Sequence, residues 1–209
     1  MLRIDETSNT LVAPPAAGLV TEGLPDRDAL LSLIAASWPA FAGELGHASL
    51  RLAAVAPAPG VDILAFDEQA GRVVVVGVTT GSETAQLGRA LGAAALVAGW
   101  DAAALQDVDH ELSAAVPGDS PQVVLVAGGF EPETQASVAW LARRHGVELS
   151  CFAVSFLRFG AERLLTVRRE FPPREGHAPD PAADIAALLG EPTVGVVTTG
   201  GASMPPPGS

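Results

Sequence analysis

The sequence predicts an α/β protein in which a central mixed sheet is flanked by helices in a three-layer arrangement. Val73 to Val78 is apolar at successive positions, a pattern a strand needs only when both of its faces are covered. Apolar residues then recur at helical spacing, as in Leu30, Ile34 and Trp38 and in Leu87, Leu91, Ala94 and Ala98. Between these segments, Val61 to Thr80 reads as two apolar strands joined by the turn Asp67-Glu68-Gln69-Ala70-Gly71. With 209 residues, 48% of them hydrophobic, one domain with a sizeable core is expected.

Residues 1–23 are polar, then marked by Pro and Gly, and are expected to form a flexible arm before a domain over residues 24–170. Asp26 is placed to cap a helix carrying Leu30, Leu31, Ile34 and Trp38. Leu50 to Ala56 is a candidate first strand, and the Pro57 to Gly60 turn leads into the hairpin. Ser82 suits the cap of the next helix, whose small residues allow close approach to the sheet. A short helical turn is expected after Asp101, followed by the loop DHELSAAVPGDSP and a buried strand over Gln122 to Ala127. Pro132 fits a first helical position and Gly146 a helix stop. Two further strands are expected, Val147 to Leu157 and Arg163 to Val167, the second an edge that could pair across a two-fold axis in a homodimer. Residues 171–209 read as a Pro- and Gly-rich tail, with Ala182 to Leu189 as one short helix candidate. VVGVTTG at Val75 to Gly81 is echoed by VGVVTTGG near the end, as chance in a chain rich in Val and Gly would produce.

Acidic residues number 24 against 12 arginines, and the chain has no lysine. A net charge of −12 opposes general attraction to a phosphate backbone, so nucleic-acid binding would need a local patch, while protein partners are favoured. Cys151, the single cysteine, lies in LSCFAVSF and reads as a small core residue. No export signal or membrane span is evident, and a cytoplasmic location is expected by default. His110-Glu111 lacks the second histidine of a zinc-protease helix, Gly128-Gly129 lacks GxGxxG and a Walker lysine, and no G-x-S-x-G elbow occurs.

The hairpin carries the most specific chemical signal. Asp62, Ile63, Leu64, Ala65, Asp67, Gly71, Val74 and Val75 match a pattern that reads approximately D-L-L-A-x-D-x-x-G-x-L-V-V-x-E-x-K, and Gln86 lies on the following helix. With the segment VVLVAGGFEPETQASVAWLARRHGVELSCFAV downstream, the stretch from Asp26 to Val167 resembles the PD-(D/E)xK superfamily of restriction-endonuclease-like nucleases, in particular members related to NucS. The resemblance implies a restriction-endonuclease-like core, and a site in which strand-borne carboxylates hold Mg²⁺ or Mn²⁺ to activate water for phosphodiester cleavage. Here the acid and lysine positions are Gly77 and Thr79, and the family's tyrosine four residues after the glutamine is Ala90.

Residues i and i+2 of a strand share a face, so a Glu and Lys at these two positions would meet Asp62. Hydrogen and a hydroxyl stand there instead, and no acid occurs between Gln69 and Ser82. The expectation is a catalytically inactive, nuclease-like protein, without a cofactor, serving as a structural or protein-interaction module. Asp62, Gly77, Thr79 and Gln86 are then vestigial positions. The alternative is a metal-dependent endonuclease rebuilt around Asp62 with Glu83 or Glu68, in which an arginine stabilises charge but cannot act as base. Asp62 itself reads as a surviving ligand or as a carboxylate satisfied by backbone N–H groups or an arginine; the second is preferred. A third reading is a nucleic-acid binder without cleavage. Seven arginines against three acids lie between Arg143 and Arg174, and Arg143, Arg144, Arg158, Arg168 and Arg169 are the candidate contacts. Helix-end and strand-face positions account for the same residues.

Overall fold

The computed structural model describes residues 3–5, 10–12, 19–80, 83–114, 120–159 and 162–173. Two compact units are present. In the first, β1 (Arg3–Asp5) and β2 (Thr10–Val12) pair antiparallel. The second, Gly18–Pro179, holds a mixed seven-stranded sheet.

The sheet unit begins with β3 (Leu19–Glu22), within the segment expected to be an arm. Its partner is the far end of a strand near the C-terminal side of the unit, which is why local sequence gives no sign of it. Asp26 caps α1 (Arg27–Ala36), its carboxylate accepting from the Ala29 N–H at 2.8 Å. The single helix expected through Trp38 divides at Ser37 into α1 and α2 (Trp38–Glu44). Pro39 lacks the N–H that a continuous helix would use, and its ring would strike the carbonyl four residues back. Leu30, Ile34 and Trp38 are buried despite the break, and the Trp38 indole N–H donates to Leu50 O at 2.9 Å, tying α2 to the sheet.

β4 (Leu50–Val55), β5 (Ile63–Asp67) and β6 (Arg72–Val78) form the expected antiparallel meander, with a bulge between Leu52 and Ala54. α3 (Glu83–Ala98) crosses to α4 (Ala102–Val108), and the loop that follows contains a 3₁₀ turn at His110–Ala114. β7 (Gln122–Ala127) then joins parallel to β6. α5 (Pro132–His145) ends at Gly146, whose φ of 65° is the left-handed conformation that glycine takes without a Cβ penalty. β8 (Leu149–Phe159) is parallel to β7, and β9 (Glu162–Phe171) is antiparallel to β8 and longer than the expected Arg163 to Val167. The short turn of helix proposed near Ala182 to Leu189 and the Ser82 cap lie outside the described residues.

A strand has two hydrogen-bonding edges. β9 occupies one edge of β8 over residues 151–159, and the other is divided between β7, which pairs with residues 149–153, and β3, which pairs with residues 156–159. Alternation sends the two faces of the sheet into separate cores. Ile63, Val74, Val76, Val78, Val126, Phe152 and Phe156 pack with α1 and α2. Leu64, Val73, Val75, Leu125 and Cys151 pack with α3, α4 and α5. β6 is therefore covered on both faces, as its unbroken apolar run requires.

Candidate functional site

β5 and β6 place Asp62 and Gly77 next to one another at the end of the hairpin ladder, where Ile63 pairs with Val76. Both Asp62 carboxylate oxygens are engaged. One accepts from Arg27 Nη2 at 2.5 Å and the other from the Val78 N–H at 2.7 Å. The Val78 contact extends the strand ladder by a side chain, and Arg27 stands in the first turn of α1 beyond its Asp26 cap. Arg27 also reaches Asp28 at 3.0 Å, so one guanidinium fastens the start of α1 to the hairpin. Asp62 keeps only 12% of its side chain exposed, which suits a carboxylate neutralised by a cation and a backbone donor.

The neighbouring position on β6 is closed. A Cβ at Gly77 would stand 3.2 Å from Ala90 Cβ, 3.5 Å from Gln86 Nε2 and 3.7 Å from Leu125 Cδ2. α3 thus lies over the strand at the place where the nuclease pattern needs a carboxylate, and the small Ala90 lets it come this near. Gln86, 2% exposed, locks that approach: its Nε2 donates to Gly77 O at 2.7 Å and to Val126 O at 3.2 Å. Two facing carbonyls oblige the amide to present its NH₂, and Gln86 Oε1 is left buried without a hydrogen-bond partner. Thr79 is buried as well, with its N–H bonded to Val126 O at 3.0 Å.

The acids available to a rebuilt site are not gathered around Asp62. Glu68 lies in the β5–β6 turn, its carboxylate 3.6 Å from Arg51 Nε. Glu83 opens α3, and its side chain falls outside the described residues. Arg51 instead organises a charge cluster of its own, with Nη1 2.6 Å from Asp109 and Nε 2.9 Å from Glu111, the latter a close charge contact without hydrogen-bond alignment. The Arg51 hydrogen bond is the main reason that the Asp109 carboxyl lies below its ordinary range, despite opposing burial. Asp67 is also lowered: burial opposes its charge, and the Ala70 N–H, the Ser49 hydroxyl and the Gln69 N–H outweigh it. It therefore holds the turn. Among the described residues, no group of three or more His, Cys, Asp or Glu side chains could hold a metal ion.

The arginines that are near in sequence are divided in space. On β9, residues 163, 165, 167 and 169 share the α1–α2 side: Leu165 and Val167 pack into that core, while Arg163 lies 5.2 Å from the Phe156 ring centre and Arg169 5.3 Å from that of Phe152. Arg168 points the other way and pairs with Glu170 at 2.6 Å, and Glu170 also receives the amide of Gln135 on α5. Arg158 and Arg163 share Glu22 of β3, at 3.0 and 2.9 Å. Arg143 and Arg144 are exposed in the last turn of α5. The five candidate nucleic-acid contacts thus do not share one face.

Sequence reasoning missed Arg27 as the partner of Asp62. One signal was available: Arg27 is the single arginine between Arg3 and Arg51.

Fold and site together define a mixed-sheet α/β protein whose hairpin end is sealed by a helix and an internal ion pair. Among the described residues no helix is long and apolar enough to cross a membrane. No protein-family model, curated protein or solved structure matches the chain.

Proposed function

We propose that this chain is a non-catalytic protein of the nuclease-like type, with a restriction-endonuclease-like sheet retained as a scaffold and its surface used for protein interaction. The observation that carries this reading is the closure of Gly77 by Ala90, Gln86 and Leu125. A hydrolytic Mg²⁺ site of this type needs carboxylates on both strands of the hairpin with room for the ion and its water ligands. Gly77 supplies no ligand, a Cβ there would already press on Ala90 at 3.2 Å, and each Asp62 oxygen already accepts a strong hydrogen bond. The residues present therefore do not fit the metal that the resemblance implies. The acidic balance of −12 supports a protein partner over a polyphosphate one.

The test is titration with Mn²⁺ and Mg²⁺ by calorimetry, for the native chain and Asp62→Ala, with branched, single- and double-stranded DNA offered to both. The expected outcome is no saturable binding of either ion and no cleavage. Metal-dependent cleavage that disappears in Asp62→Ala would overturn the proposal and establish a rebuilt nuclease.

A further inference from the structure

We infer that the outer face of α5 is a self-association surface that receives a second copy of this chain, the two α5 helices lying antiparallel across a two-fold axis. Glu133, Ser137, Trp140 and Arg144 fall at i, i+4, i+7 and i+11, one narrow stripe of the helix, and all four are exposed. Trp140 is 56% exposed, the highest value among the large exposed hydrophobic side chains, and His145 holds its ring edge-on at 4.3 Å. No salt bridge engages Glu133, Arg143 or Arg144 among the described residues, whereas Arg27, Arg51, Arg72, Arg158, Arg163 and Arg168 all have carboxylate partners.

The stripe is complementary to itself when reversed. Laying a second α5 antiparallel with Glu133 opposite Arg144 also puts Ser137 opposite Trp140, and the two-fold repeats both pairings. Charge is matched at each end, and helix dipoles are opposed favourably. Each indole meets a small residue whose hydroxyl is already bonded to Glu133 O at 2.8 Å, so its seat is flat and needs no new polar partner. Exposed Trp and Arg are the residue types that dominate protein interfaces. A helix of 14 residues is about 21 Å long, short for a stable interface by itself. α3 packs beside α5 and adds exposed surface of its own: Leu96 is 44% exposed, and exposed Gly88 and Gly92 project no side chain. The dimer is expected to be of micromolar strength.

This names a partner for the interaction role proposed above, but it does not depend on whether nuclease chemistry survives. Sedimentation equilibrium of the full chain over a range of concentrations tests it, with Mn²⁺ titration run on the same samples so that the two readings fail separately. Trp140→Ala should weaken the dimer about 30-fold or more, and Arg144→Glu, which opposes Glu133 with a like charge, roughly tenfold. Glu133→Arg combined with Arg144→Glu restores the pairing in reversed sense and should recover native association. All three substituted positions are exposed, and unchanged thermal melting of each variant confirms folding. A native chain that stays monomeric at its highest soluble concentration would overturn the inference. So would a dimer indifferent to both single substitutions, which would point to a sheet edge, or a monomer that binds oligonucleotide and loses that binding in Trp140→Ala, which would make the face a nucleic-acid platform.

Discussion

Replacing Asp62 separates a structural carboxylate from a metal ligand. In Asp62→Ala the Val78 N–H, on a residue with no exposed surface, loses its acceptor, at a cost of about 1–3 kcal/mol. Arg27 loses its pair, but its side chain is 35% exposed and recovers water, so that part is worth at most about 1 kcal/mol. The total expected loss is about 1–4 kcal/mol. Asp62→Asn keeps an acceptor for Val78 but turns its NH₂, a donor, toward Arg27, whose partly exposed guanidinium can move to water, so its loss should stay at about 1 kcal/mol. Urea denaturation of the three proteins at neutral pH and fixed salt measures both differences, provided the slopes agree. Carboxylates crowded into a catalytic metal site repel one another, and removing one often stabilises the apoprotein. An Asp62→Ala variant as stable as the native chain, or more so, would refute the structural assignment.

Further outcomes follow from the same geometry. Gly77→Glu, which restores the acid of the nuclease pattern, should destabilise by more than about 3 kcal/mol, because it adds a carboxylate to a filled space. Gly77→Ala should cost about 1 kcal/mol in the native chain and less in an Ala90→Gly background, itself about 1 kcal/mol less stable as a glycine within α3, as thermal melting would show. His47 is lowered from 6.5, first by burial and then by Arg169 and Arg72, with Asp67 opposing, so the folded chain binds its proton less readily than the unfolded chain does. Its contribution is full above pH 6.5 and begins to be lost as pH falls from there toward the lower folded value, whereas the lowered Asp67 and Asp109 keep theirs in full down to 3.8. His47→Gln should abolish the first step of acid destabilisation in denaturation curves and leave the second. Burial, reinforced by the charge of Glu170, pushes the Cys151 thiol up to about 12, so iodoacetamide should label it only after denaturation, as mass spectrometry would reveal.

The central strands were legible because burial on both faces leaves a composition that nothing else explains, as in Val73 to Val78 and Val123 to Val126. Caps and stops were legible where one residue type performs one task, as with Asp26 and Gly146. The α1–α2 break was hidden because Leu30, Ile34 and Trp38 keep helical spacing across it, although Pro39 announced it. Leu19–Glu22 was hidden because pairing between distant segments leaves no local period. At the site, the positions of Asp62, Gly77 and Gln86 could be read from the hairpin and the following helix, but what fills Gly77 depends on how far α3 descends. Arg27 and Asp62 meet across 35 positions, which periodicity does not encode. Arg158, Arg163, Arg168 and Arg169 cluster in the sequence, yet strand alternation and the Glu22 and Glu170 carboxylates distribute them over two sides of the sheet.

The shared edge of β8 imposes an order on biosynthesis. Leu19 emerges early, but its register partner Phe159 follows 140 positions later. At ribosomal speeds of about 5–20 residues per second, roughly 7–28 s pass before the two can meet. Throughout that interval the meander and the β6–β7 pair can assemble without β3, while the first strand of the sheet waits. A nascent chain arrested before Phe156 should therefore carry an ordered α1–β7 body with Leu19–Glu22 unclaimed, an open strand that a ribosome-associated holdase could cover.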